Sequence, residues 1–434
     1  MKKKKVYIAL SADILNPAHL NIIDKGLKLG DVIIGLLTDS AISSYKNLPA
    51  LDYEARYKII SSVKNIKKII KQDTLDYQKN LIKIKPDYVL HGDDWKTGLQ
   101  SWVREKVIRT LKKWNGKLIE VPYSEKYNST KLKREIKNLS STPDLRIKSL
   151  RRLLSAKKTL KFLDIHNGLS ALIVEKTKMI KNKKLLEFDG MWASSLTSST
   201  AKGKPDIEAV DSHERIQVLN EVLEVTTKPI IYDGDTGGKV EHFIFLVKTL
   251  ERLGISAVII EDKKGLKKNS LFGNDVFQQQ ESVKNFSKKI TEGKKCQLNE
   301  NFMIIARIES LILDKSVKEA MFRAKSYLRA GADGIMIHSK EKNTSKIFQF
   351  FREYNKLKNR KVLVVAPSSY YHIKDEELKK RGVNIILYAN HLLRSVYPSM
   401  LNTAKSILKH GRTLETEKKL LSIKNILNLI PGTK

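Results

Sequence analysis

With a single cysteine, Cys296, set in the polar stretch TEGKKCQLNE, this chain of 434 residues has no partner thiol. A disulfide framework and a cysteine-ligated zinc site are both excluded, and the usage fits a reducing cytoplasm. Long apolar runs are lacking too. The opening MKKKKVYIALSAD has a basic head and a short apolar core, but Asp13 interrupts it early. No other stretch approaches the roughly 20 apolar residues needed to cross a bilayer, so no membrane partner is expected. Val6 to Leu10 is instead predicted to form a buried first strand. Acidic residues are scarce: 47 Asp and Glu stand against 82 Lys and Arg, a formal net charge of +35. The excess is mostly lysine spread along the chain, without arginine-rich or aromatic-interleaved segments. That pattern argues against nucleic acid as a partner and for a solvated surface with a field that draws in anions.

What the chain does contain is enough apolar material, 41% of residues, for about two or three domains with cores of their own. Residues 1–130 alternate strand-like runs (VYIAL, VIIGLLTD, DYVLHGDD, KLIEVPY) with helix-like stretches such as HLNIIDKGLKLG and ALDYEARYKIISSVKNI. Short continuous apolar runs between helices predict a small doubly wound α/β domain with a parallel sheet. Residues 131–165 are dense in Lys and Arg and contain the loop signal SSTPD, which predicts a partly helical connecting segment. From 166 to 434 the alternation resumes. Apolar runs at LSALIVE, EFDGMWAS, PIIYDGDT, SAVIIED, FMIIARIES, DGIMIHS, KVLVVAPSS and NIILYAN, with helical stretches between several of them, predict a (β/α)8 barrel.

The C-terminal ends of those runs carry Glu175, Ser194, Asp233 with Asp235, Glu261 with Asp262, Arg307, His338, Ser368 and Asn390. Any one of these alone would read as a cap or loop hydrogen bonder. Together, at the end of a barrel where active sites lie, they predict a catalytic mouth. Asp233, Asp235, Glu261 and Asp206 would crowd negative charge, which a hard divalent cation with oxygen ligands relieves; Mg²⁺ is the first choice. Arg307, His338 and Lys267 add donors suited to carboxylate and phosphoryl oxygens. The loop KKGLKKNSLFG has the composition of a lid, and equally of an ordinary surface loop.

WASSL (192–196), DGDTGG (233–238), EDKKGLKKNSL (261–271), ARIES (306–310) and MIHSK (336–340), in this order, resemble the isocitrate lyase and phosphoenolpyruvate mutase superfamily over all of 166–434. The resemblance implies that Asp233 binds the metal, while Asp235 and Glu261 hold metal-bound water. It implies that Asp206, in KGKPDIEAV, faces the reacting phosphoryl group. Ser194 and the amides of Ser195 and Leu196 would surround substrate oxygens, Arg307 and His338 would bind substrate, and Trp192 would wall the pocket. Lyases of the superfamily carry a cysteine in the gating loop, whereas this loop reads Lys267, Lys268, Asn269, Ser270, Leu271. That is the mutase pattern, and it implies that Lys267, Asn269, Ser270 and Leu271 close over phosphoenolpyruvate or phosphonopyruvate. Phosphonopyruvate hydrolase shares the metal site and is the alternative. The resemblance also implies a homodimer or homotetramer in which barrels exchange their last helix.

Residues 1–130 resemble cytidylyltransferase-like nucleotidyltransferases through SADILNPAHLNII, HGDDW (91–95) and YNSTKL (127–132). In that family a His-x-Gly-His motif at a helix start and a later Ser/Thr motif hold the triphosphate. Asn16 and Ala18 stand at the first histidine and the glycine, His19 matches the second histidine, and Ser129 and Thr130 match the later motif. The expectation is a retained fold that uses CTP weakly or not at all.

Overall fold

The computed structural model describes residues 3–46, 48–122, 142–182, 184–265 and 267–430. The N-terminal domain is a five-stranded parallel sheet built from β1 (Lys5–Leu10), β2 (Asp31–Leu37), β3 (Lys68–Gln72), β4 (Tyr88–Gly92) and β5 (Lys117–Val121), in the order β3-β2-β1-β4-β5. Val6 to Leu10 are all buried, as expected of a central strand covered on both faces. β3, with the sequence KIIKQ, was not foreseen. As an edge strand it keeps its lysines toward solvent, and two apolar residues between charges give no run to read.

The barrel is closed by eight parallel strands: β6 (Leu160–Ile165), β9 (Gly190–Ala193), β10 (Ile230–Asp233), β11 (Ala257–Glu261), β14 (Met303–Ile308), β15 (Gly334–Ile337), β16 (Val362–Val365) and β17 (Ile385–Tyr388). The hairpin β7 (Lys178–Lys181) and β8 (Lys184–Glu187) sits before β9, and β12 (Lys263–Lys264) pairs with β13 (Gln279–Gln280) beside the mouth. Alternate residues, among them Phe162, Ile231, Ile259, Ile305 and Val364, fill the interior. The others pack outward against the helices, the period-two division a barrel requires.

Seven of the eight expected strands are in place and the first is not. LSALIVE lies in the helix Gly168–Lys176, and the first barrel strand is β6, inside the segment expected to be a linker. A seven-residue apolar run fits a buried helix as well as a strand. The deciding signal is Asn167, whose side chain accepts the Ser170 amide (2.8 Å) while the Ser170 hydroxyl meets the Asn167 amide (3.1 Å), a capping box. Glu175 therefore does not stand at a strand end; it accepts the Thr226 hydroxyl (2.7 Å).

The described part of the expected linker before it, from residue 142 on, belongs to the barrel too. The helix Pro143–Ala156 buries Leu150 and Leu153 against the interior residues Leu160 and Phe162, closing the end opposite the mouth. Its Arg152 reaches into the N-terminal domain, donating to the carbonyls of Pro49 (2.8 Å) and Ala50 (3.0 Å) and pairing with Asp39 (3.4 Å). Leu48 packs on the same interior cluster. The N-terminal domain is thus docked at the closed end of the barrel.

Candidate active site

At the mouth, β10 ends in Asp233 and turns through Gly234 and Asp235. A side chain at Gly234 would come within 2.8 Å of Val258 and 3.0 Å of the Ile259 carbonyl, so only glycine fits. Asp235 follows with φ of 51°, a left-handed conformation that aspartate tolerates better than most residues. Arg215, from the helix Ser212–Val225, holds its Oδ2 at 2.9 Å while stacking on Tyr232. Asp233 Oδ2 accepts the Ser195 amide (3.1 Å) and hydroxyl (2.8 Å). Burial pushes the Asp233 carboxyl up, but Lys267, Arg215 and Arg307 outweigh it and hold it at about 2.

The loop between β12 and β13 is folded down over this floor. Lys267 is 4% exposed, and its ammonium contacts the Ser195 hydroxyl, Asp235 Oδ1 and, at 3.0 Å, Asp206 Oδ1. Burial alone would lower the lysine's pKa, yet Asp235, Asp233, Glu261 and Asp206 together raise it. Asn269 donates to the other oxygen of Asp206 at 2.8 Å, so Lys267 and Asn269 clasp one carboxylate between them.

Across the mouth, Arg307 on β14 donates through Nη2 to His338 Nδ1 (2.9 Å). Guanidinium has no acceptor, so the imidazole presents its lone pair. Burial and the neighbouring Arg307 lower the His338 pKa against the opposing pull of Glu309. Trp192, Ser194, Leu196, Ser270 and Leu271 complete the wall of a cavity of about 50 Å³. Two expected groups are otherwise engaged. The Ser195 amide serves Asp233, and the Ser194 hydroxyl caps the helix Ser195–Ala201 at Thr197.

Residues with no assigned part in the sequence reading also shape the site. Glu309, two positions beyond Arg307 and on the same side of the chain, pairs with Arg307 Nε at 2.6 Å. Its place in the ARIES motif was the available signal. Lys263 had the same kind of signal in EDKKGLKKNSL, whereas Arg215 carried none, because which charged side chain turns inward is a tertiary matter.

Among the described residues, no three His, Cys, Asp or Glu side chains form a ready-made metal cage. The fit to Mg²⁺ is nevertheless good on chemical grounds. Glu261 is 1% exposed, and neither of its oxygens receives a hydrogen bond, although Arg307 and Lys263 stand 3.3 and 3.7 Å away. Burial pushes its carboxyl up to about 7 against the pull of those cations. Buried carboxylate oxygens without donors, beside an ionised Asp233, suit a cation that keeps most of its waters and takes one or two protein oxygens directly.

In the N-terminal domain a cavity of about 330 Å³ opens where β1 and β4 diverge, the usual ligand crevice of an open parallel sheet. Asn16, Ala18, His19 and Lys46 line it. Asn16 caps the helix Pro17–Leu29, its Oδ1 accepting from Ala18 N (3.0 Å) and His19 N (3.3 Å), while His19 Nδ1 accepts from Asn16 N (3.3 Å). Ser129 and Thr130 lie outside the described residues.

A parallel barrel with paired carboxylates and cations at its mouth, under a loop that closes a small cavity, defines an enzyme for a compact anion. Residues 150–408 match the family model for phosphoenolpyruvate phosphomutase, and the chain belongs to that family. It is 33% identical over 304 residues to a phosphoenolpyruvate phosphomutase of Tetrahymena pyriformis, covering 70% of this chain and 92% of that one. The crystal structure of a phosphoenolpyruvate phosphomutase from Streptomyces platensis subsp. rosaceus superposes with a TM-score of 0.60 at 32% identity, over 65% of this chain and 94% of that chain. A phosphonopyruvate hydrolase in complex with oxalate and Mg²⁺ superposes at 0.58 and 26% identity, with the same coverage. Residues 11–142 match the cytidylyltransferase-like model. No described helix is long and apolar enough to cross a membrane.

Proposed function

We propose that the barrel isomerises phosphoenolpyruvate to phosphonopyruvate, breaking the bond from phosphorus to the enol oxygen and forming one from phosphorus to the methylene carbon. The observation that carries this reading is the clasp of Lys267 and Asn269 on Asp206 over a small cavity. The transfer consumes no water and no proton, so a site that shuts over its substrate is what it needs. A lyase would need an acid in this loop. The chain's only cysteine, Cys296, lies instead at the end of the helix Val283–Cys296, against the carbonyls of Gly293 and Ile244.

In this reading Asp233 would bind Mg²⁺, with Asp235 and Glu261 holding its waters. The ion, when bound, supplies Lewis-acid stabilisation of developing enolate charge. Arg307 binds substrate oxygens, fixed in direction by His338 and Glu309. Trp192, Leu196 and Leu271 exclude solvent, while Ser194 and Ser195 set the floor. Incubation with phosphonopyruvate and Mg²⁺, followed by ³¹P NMR, tests the proposal: phosphoenolpyruvate supports it, and free phosphate alone makes the protein a hydrolase.

The same reading places the enzyme in the cytoplasm, in phosphonate biosynthesis, as a homodimer or homotetramer. Support for self-association comes from the helix His391–His410, which buries none of its residues and exposes Tyr397, Met400 and Leu408. The N-terminal domain is read as a nucleotidyltransferase fold with weak use of CTP, because Asn16 is spent on capping a helix where the family motif has histidine.

A further inference from the structure

Ser270 is the point where the closing loop is tied to the barrel. Its hydroxyl donates to Glu309 Oε2 at 2.5 Å and accepts from Arg307 Nη2 at 2.6 Å and Lys263 Nζ at 2.8 Å. The directions are forced, since arginine and lysine only donate and the carboxylate only accepts. One proton and two lone pairs are all a serine hydroxyl has, and three charged groups take them all. Glu309 is fully buried and itself anchored: its amide donates to Asp262 Oδ1 (2.9 Å) and its Oε1 takes Arg307 Nε (2.6 Å). One carboxylate thus grips the fixed arginine with one oxygen and the loop with the other.

We propose that Glu309 is a positioning residue: it latches the loop over the cavity and holds Arg307 in its working orientation. Ser270 adjoins Asn269 and stands three residues from Lys267, so pinning it delivers both side chains to Asp206 in register. A neutral glutamine in place of Glu309 has one acceptor oxygen for two donors and lacks the charge that strengthens both bonds. The loop then opens more often and water enters. Water attacking phosphonopyruvate forms a new bond from phosphorus to oxygen and breaks the bond from phosphorus to carbon, and its proton ends on that carbon, giving pyruvate and phosphate. This kinetic consequence rests on the mutase reading; the latch itself does not.

The experiment has two arms on the full-length chain. Tryptic cleavage within the loop, at Lys264, Lys267 or Lys268, is the readout of its opening. Glu309→Gln and Ser270→Ala should each speed cleavage there by about 10-fold or more, and the double variant should be no faster than the faster single one, because both remove the same bond. In the second arm Glu309→Gln should lower kcat about 100-fold with KM held within about 3-fold, and free phosphate should accumulate. Cleavage at the parent rate in both variants, or additive effects in the double, overturns the latch. So does an unchanged kcat in a Glu309→Gln protein that is merely less heat-stable, since that marks a structural role only. Should Glu309→Gln fail to fold, Ser270→Ala decides by the same criteria. A parent that does not interconvert the two substrates ends the mutase reading, while the protease arm still tests the latch.

Discussion

At the barrel mouth most strongly charged side chains have a counterpart within reach: Lys267 against Asp206 and Asp235, Arg215 against Asp235, Arg307 against Glu261 and Glu309. The N-terminal cavity sits in the equivalent place on its own parallel sheet, yet it is several times larger and its helix start is closed by Asn16 and His19 bonding to each other. Both domains keep the fold that makes a crevice. The barrel mouth gathers its charges into a paired network, whereas the N-terminal crevice, lined by His19, Lys46, His91 and Asp94, has its helix start taken up by Asn16. Fold and chemistry therefore separate within one chain: packing of alternate strand residues preserves the crevice, whereas a phosphate motif can change at two positions without disturbing that packing.

The comparison would break first at Asp233. Asp233→Ala is expected to lower mutase turnover by at least about 1000-fold and to abolish Mg²⁺ dependence, with circular dichroism unchanged. Excess chelator should silence the parent to the same degree, and full turnover in chelator would remove the metal from the account. Next in size, Lys267→Ala and Asn269→Ala are expected to cost about 100-fold in kcat, because each releases one side of the clasp on Asp206 and admits water. Steady-state kinetics in both directions check this. Parent rates in both variants would reduce the loop to an ordinary surface feature.

How much of this could be read without coordinates differs by kind of information. Seven barrel strands were legible because each is a short apolar run ending in a polar residue that faces the mouth. β6 was missed because LKFLDI follows a lysine-rich stretch, and the stronger apolar run after it belongs to a helix. The motif residues were legible for the same reason that they converge: they stand at strand ends. Arg215 was not, since it reaches Asp235 from the first turn of a helix whose sequence resembles any solvated helix. Nor could charge counting show that Lys267 points inward while Lys264, three positions away, points to solvent.

A smaller effect is expected at the seam between the domains. Arg152 is largely buried, and Arg152→Ala removes its two carbonyl bonds and its pairing with Asp39. A loss of about 1–3 kcal/mol is expected in the stability of the N-terminal domain, since two carbonyls are left without that donor. Urea titration followed by tryptophan fluorescence should show an earlier first transition, with mutase turnover unaffected below it. A parallel fall in turnover would show that the two crevices are coupled through the helix Pro143–Ala156.

The least effect on the folded molecule, and the sharpest test of the comparison, lies at the start of the first helix. Asparagine at position 16 can donate a hydrogen bond to phosphate but cannot carry the positive charge of an imidazolium, so it stabilises a leaving pyrophosphate poorly. Its Oδ1 is moreover occupied by the amides of Ala18 and His19. Ala18 adds a methyl group where glycine would let the nucleotide approach the backbone. The parent is therefore expected to release pyrophosphate from CTP slowly or not at all with 2-hydroxyethylphosphonate or a similar phosphonate as acceptor. In the Asn16→His, Ala18→Gly double variant two effects oppose each other. Losing the asparagine cap costs about 1 kcal/mol of helix stability, and freeing the amides of positions 18 and 19 returns two donors to the helix N-terminus, where a phosphate can use them. Acceptor-dependent pyrophosphate release that appears only in the double variant, with a slightly lower unfolding midpoint, would show a crevice intact except for its phosphate motif. Rapid release by the parent would mean that Asn16 serves nucleotidyl transfer as it stands and that the two crevices are equally equipped.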